Sequence, residues 1–204
     1  SQVPSVSITC EKKNEGFKTS GQVQYVAQNG NFRKKGLEYT GALEILKVIL
    51  SYDYLWINLR VKGGAYGCMS GFKRNGESFL VSYRDPHLKR TLEVYQGVPD
   101  YIRAFEADER EMTKYIIGTI SNKDVPRTPQ MQGSISKTAY FSNVTEDMLQ
   151  KERNQILGAQ KEDIQKLAAL VEAVLSDDQI CVVGSETAIE KAEDVFMEVK
   201  PLIG

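Results

Sequence analysis

The chain has 204 residues, 41% of them hydrophobic and 26% charged, with a formal net charge of −1. These values describe a globular protein with one generous domain's worth of core, and they exclude the disordered and coiled-coil classes. A charge so near neutral lacks the basic excess that a nucleic-acid surface needs to neutralise phosphates.

No apolar run approaches the roughly 18 residues of a membrane span. The first residues, Ser1 to Ser7, lack a basic stretch followed by an apolar one, so no signal peptide is read there. Cys10, Cys68 and Cys181 are odd in number, far apart and without CxxC spacing, which predicts free thiols in small core positions.

In chain order, Val6, Ile8 and Cys10 alternate with polar residues as a half-buried strand does, and Val23, Tyr25 and Ala27 repeat the pattern. Gly30 and Gly36 bracket a polar turn containing the basic run Arg33-Lys34-Lys35, read as solvated. Tyr39, Ala42, Leu43, Leu46, Ile49 and Leu50 then line one stripe of a helix, which either continues or leads into another through Tyr52 to Leu59.

A hairpin follows. Tyr66, Cys68, Ser70 and Phe72 share one face of its first strand, and Phe79, Val81 and Tyr83 one face of its second. Asn75-Gly76 between them predicts a two-residue type I′ turn.

From Pro86 the pattern is helical, with one helix or two meeting near Gly97-Val98-Pro99 and another opened by an Asp108–Glu111 capping box. Pro126 and Pro129 predict a loop over Lys123 to Gly133. Helices are expected from Thr145 to Leu157 and from Glu162 to Leu175, then a strand over Ile180 to Val183. A last helix carries Ile189, Ala192, Phe196 and Val199 on one face. The expected fold is α+β: an antiparallel sheet with helices packed on one face.

The chain holds a single histidine, His87. Ser-His-Asp and Cys-His sites need at least one histidine and many zinc sites need two or three, so His87 reads as a capping or surface residue. Glu93, Asp100 and Glu109 lack the paired histidines that would suggest a metal. The charged run Glu106 to Glu111 reads as a helix N-terminus favoured by its dipole. Tyr52, Tyr54 and Trp56 form an aromatic cluster that either packs in the core or lines a substrate chamber.

The densest unusual segment is Arg60-Val61-Lys62-Gly63-Gly64-Ala65-Tyr66-Gly67. Its glycines precede a strand, whereas a phosphate-cradling loop follows one, and the G-x-x-x-x-G-K-[ST] pattern is absent. Two readings stay open on chemistry alone. The segment is a helix-to-strand turn whose Arg and Tyr simply pack, or the rigid donors of Arg60 and the phenol of Tyr66 converge on one carbonyl oxygen.

This segment, with Tyr52-Asp53-Tyr54-Leu55-Trp56 before it, resembles the C-terminal half of presequence proteases, a branch of the pitrilysin/insulinase family of zinc peptidases. Ser82-Tyr83-Arg84-Asp85-Pro86, Asp108 through Ile120, Gln24-Tyr25-Val26-Ala27 and Gly30-Asn31-Phe32 carry the likeness further. The resemblance implies a metallopeptidase domain of the pitrilysin/mitochondrial processing peptidase type: residues 1–204 as the single C-terminal α+β domain of a four-domain peptidase that closes around an unfolded peptide.

It also implies that Arg60 and Tyr66 are catalytic, and that Arg60, Gly63, Gly64 and Tyr66 bind substrate. The Zn2+ and its H-x-x-E-H motif would belong to an N-terminal domain absent here, with no metal on this chain. Partners would be unfolded peptides and the N-terminal half of the same enzyme, with neither nucleic acid nor membrane. The compartment would be cytoplasmic in a bacterium, or the matrix of a mitochondrion or chloroplast in a eukaryote. A non-catalytic partner subunit of a processing-peptidase-like heteromer is the alternative implied.

Overall fold

A computed structural model describes residues 11–202. The strand expected around Val6, Ile8 and Cys10 lies outside them. The chain runs β1 (Glu15–Thr19), β2 (Gln24–Asn31), a 3-10 turn (Phe32–Lys35), α1 (Ala42–Tyr52), a π-helical turn (Trp56–Val61), β3 (Gly67–Phe72) and β4 (Glu77–Asp85). Then come α2 (Lys89–Gln96), α3 (Val98–Arg103), α4 (Glu109–Lys123), α5 (Pro129–Phe141), α6 (Glu146–Leu157), α7 (Lys161–Gln165) and α8 (Ala168–Leu175). β5 (Gln179–Ser185), α9 (Glu186–Glu190), a second 3-10 turn (Glu193–Val195) and β6 (Glu198–Pro201) complete it. No helix among the described residues is long and apolar enough to cross a membrane.

The six strands form one sheet in the order β3-β4-β2-β5-β1-β6. Pairings from β3 through β5 are antiparallel, whereas β1 pairs with both β5 and β6 in parallel. The sheet is therefore mostly, not wholly, antiparallel. The parallel side comes from one segment given no element in the sequence reading and one read there as helix. β1 offers little apolar signal beyond Phe17. The expected last helix stops at Glu190, and Val199, expected on that helix, lies in β6 instead.

The helices lie against the face formed by Val26, Leu80, Ile180 and Val182. Leu43, Ile45, Leu46, Ile49 and Leu50 of α1 and Val171, Val174 and Leu175 of α8 fill the core with them. Each such fully buried aliphatic side chain contributes roughly 1.5–3 kcal/mol. Tyr95 of α2 is fully buried, and its hydroxyl donates to the Val26 carbonyl at 3.0 Å, satisfying the one polar atom that burial would strand.

Other expectations hold or shift for local reasons. Asp108 caps α4 reciprocally with Glu111, as the capping box requires. Pro129 does not prolong a loop; it occupies the first turn of α5 behind the Thr128 cap, where its missing N–H costs nothing. The amphipathic stretch from Glu162 to Leu175 is divided at Lys166–Leu167 into α7 and α8.

The hairpin turn is also wider than expected. Gly76 N–H bonds the Lys73 carbonyl, Lys73 N–H bonds the Glu77 carbonyl, and only Gly76, at φ 89°, is left-handed. This is a three-residue loop closed by a glycine bulge rather than a type I′ pair. Cys68 is half-buried on the helix-covered face. Cys181, expected in the core, is exposed on the opposite face of the sheet beside Ala27.

Candidate functional site

The polypeptide leaves α1 and passes almost directly into the π-helical turn Trp56–Val61, which carries Arg60. Lys62 N–H reaches back five residues to the Ile57 carbonyl at 2.9 Å, and Asn58 Nδ2 donates to the Tyr54 carbonyl at 2.8 Å. Leu55 and Leu59 bury one side of this turn. Arg60 is therefore held outward, its guanidinium carbon 4.1 Å from the centroid of the Trp56 ring. Such stacking desolvates one face of the cation while leaving its edge donors free.

The turn is closed by Gly63 and Gly64. Gly64 N–H bonds the Arg60 carbonyl and Ala65 N–H bonds the Leu59 carbonyl, both at 2.9 Å. Gly64 takes φ 79°, and a Cβ on Gly63 would stand well inside van der Waals contact with the Leu59 carbonyl oxygen. The two glycines thus shape the loop that leads into Tyr66 by allowing close backbone approach.

Tyr66 is 61% exposed. The sequence placed it on the same face as Cys68, Ser70 and Phe72, yet it does not join them in the core. Its ring lies 5.7 Å from that of Tyr83 and 5.6 Å from the guanidinium carbon of Arg84, and its N–H donates to the Arg84 carbonyl at 3.2 Å. Sequence reasoning assigned no role to Tyr83 or Arg84. The one signal for them was their position in the stretch Ser82 to Pro86, which carries part of the resemblance.

Arg60, Tyr66 and Arg84 make no ion pair or side-chain hydrogen bond among the described residues. The Cys68 thiol nearby is pushed up to about 11 by burial, against the opposing field of the Arg60 guanidinium. The arrangement offers a guanidinium with free edge donors and a phenol on one loop, beside the sheet face the helices leave uncovered. That face carries Tyr25, Met69, Val81 and Tyr83.

The aromatic cluster divides. Tyr54 packs, its hydroxyl donating to the Val94 carbonyl at 2.9 Å and its ring 4.8 Å from that of Tyr101. Tyr52 is 69% exposed and Trp56 38% exposed. His87 is exposed, and its backbone N–H donates to Asp85 Oδ1 at 2.9 Å.

Among the described residues no three His, Cys, Asp or Glu side chains cluster so as to hold a metal. A catalytic zinc site takes three such ligands, so the donor set here does not fit zinc.

Residues 14–186 match the family model described as the PreP C-terminal domain. The chain is 50% identical over 192 residues to Protein HypA of Clostridium perfringens, covering 94% of this chain and 20% of that protein. It is 33% identical over 192 residues to Presequence protease 1, chloroplastic/mitochondrial, of Arabidopsis thaliana, covering 92% of this chain and 18% of that protein. The chain thus spans about a fifth of the length of these relatives.

Among solved structures, the fold is similar to the peptidase M16 inactive domain from Pseudomonas fluorescens. The TM-score is 0.60 at 16% identity, over 99% of this chain and 47% of that one. Pitrilysin is similar at a TM-score of 0.56 and 18% identity, over 86% of this chain and 20% of that one.

Proposed function

The chain belongs to the PreP C-terminal domain family, and we propose that it is the substrate-binding C-terminal domain of a zinc metalloendopeptidase that degrades unstructured peptides. The observation that carries this reading is the Arg60–Tyr66 loop. It is built by a π-helical turn and two close-packed glycines, and it ends in an outward cation and phenol that, among the described residues, are stacked on neighbouring side chains but make no ion pair or side-chain hydrogen bond. π-Helical turns recur at functional sites, and uncommitted donors on an ordered loop are what a site for a peptide carbonyl requires.

In this reading Arg60 and Tyr66 donate to a peptide carbonyl oxygen and hold it while charge builds there. Gly63 and Gly64 let the main chain of the loop come close to the peptide. The uncovered sheet face with Tyr25, Met69, Val81 and Tyr83 supplies apolar surface for an extended chain. Zinc and its ligands would be supplied by another segment of the longer protein, as would the enclosing second half. The compartment would be the bacterial cytoplasm or an organelle such as those named for the Arabidopsis relative.

The test is turnover of an unstructured peptide by the full-length protein carrying Arg60→Ala or Tyr66→Phe. A loss of about 10²-fold in kcat for Arg60→Ala, with the thermal transition unchanged, is the expected result. Wild-type turnover in both variants would return the loop to a plain packing role.

A further inference from the structure

Tyr66 and Arg84 face each other across the start of the hairpin. Gly67 pairs with Tyr83, so the next step of the same antiparallel register brings Tyr66 opposite Arg84, and the Tyr66 N–H to Arg84 carbonyl bond at 3.2 Å continues the ladder. Strand alternation would send both side chains inward beside Cys68 and Ser82, beneath the helices.

Neither goes there. On the other side of β4, Gln24 pairs with Asp85 but Val26 pairs with Ser82, so Tyr83 and Arg84 together stand opposite the single residue Tyr25. This is a β-bulge, and Arg84 within it has φ 50°, one of only three non-glycine residues with positive φ among the described residues. The extra residue returns Asp85 to the core, where it is 1% exposed and accepts from the Thr91 hydroxyl at 2.7 Å. Arg84 is meanwhile turned outward, with its guanidinium over the Tyr66 ring.

Bulges beside functional sites re-aim side chains, and a left-handed arginine persists only where its surroundings hold it. The packing of Asp85 and the Tyr66 N–H supply that hold here. We infer that Arg84 is a positioning residue for Tyr66: its carbonyl fixes the tyrosine backbone and its guanidinium fixes the plane of the ring, directing the phenol toward substrate. This rests on the proposed role of Tyr66 in peptide turnover.

The experiment is steady-state kinetics of the full-length protein on an unstructured peptide, with thermal denaturation alongside. The variants are Arg84→Gly, Arg84→Lys, Tyr66→Ala and the double variant Arg84→Gly/Tyr66→Ala. Glycine accepts φ 50° without strain, so Arg84→Gly removes the guanidinium while sparing the bulge.

Arg84→Gly should lower kcat about tenfold with little change in KM or Tm, and Arg84→Lys should recover part of the loss. In the Tyr66→Ala background, Arg84→Gly should cost less than about twofold more, because the group it positions is gone. An unchanged kcat in Arg84→Gly, with Tyr66→Ala strongly impaired, overturns the role of Arg84 alone. Equal losses in both backgrounds, or a loss that tracks a fall in Tm, overturn it too. Full activity in Tyr66→Ala overturns the reading of Tyr66 itself, and the inference with it.

Discussion

The guanidinium carbon of Arg60 lies 4.1 Å from the centroid of Trp56, the only tryptophan in the sequence. Emission excited selectively from this indole therefore reports on the loop that carries Arg60. Arg60→Ala should shift Trp56 emission to the red as water replaces the cation over the ring. An unstructured peptide should perturb the wild-type emission, and should do so much less in Arg60→Ala. Identical spectra for the two proteins would place Arg60 away from the indole.

Cys68 offers a second probe of the same loop, one that needs no turnover. Its thiol is pushed up to about 11 by burial, while the Arg60 guanidinium favours the thiolate and so pulls the other way. Removing that charge with Arg60→Met should raise the thiol further. In a background where Cys10 and Cys181 are serine, iodoacetamide should modify Cys68 slowly at neutral pH and faster as pH rises toward that value. The Arg60→Met protein should react more slowly at each pH, and a faster reaction would contradict the sign.

Glu152 of α6 is buried, and its two carboxylate oxygens accept from Nε and Nη2 of Arg74, each at 2.5 Å, tying the hairpin loop to the helical layer. Arg74→Met strands the buried carboxylate. Arg74 is itself partly exposed, so the expected loss is about 2 kcal/mol, below the value for a fully buried pair. Urea denaturation should show this as a lower midpoint at unchanged slope. No loss of stability would mean that Glu152 finds water or another partner.

Gly64→Ala asks a β-carbon to live at φ 79° in the turn before Tyr66. The expected loss is about 1 kcal/mol or somewhat more in stability. Turnover in the full-length protein should fall further than that loss explains, because the loop that carries both donors shifts. Gly36→Ala, also left-handed at φ 77° but remote from the loop, is the control that should lose stability alone.

Local signals made much of this protein legible. The α1 stripe, the Asp108–Glu111 box and the hairpin strands are written in periodicity and capping chemistry over a few residues. The Arg60–Tyr66 loop stood out for the same reason: its glycines, cation and phenol sit within one short stretch. Pro129 misled because proline ends a segment and begins a helix equally well, and the difference lies in whether a cap such as Thr128 precedes it.

What only the tertiary structure decided are features set by partners far away in sequence. β1 becomes a strand by adding in parallel to β5, and β6 by adding in parallel to β1, which no local pattern around Phe17 or Val199 announces. Cys181 faces away from the core because its register with Ala27 puts it there. The outward turn of Arg84 onto Tyr66 needs the bulge against Tyr25, some sixty residues earlier in the chain. Alternation along β4 alone assigns Arg84 inward. A bulge is a mismatch between two strands, and it exists only once both are paired.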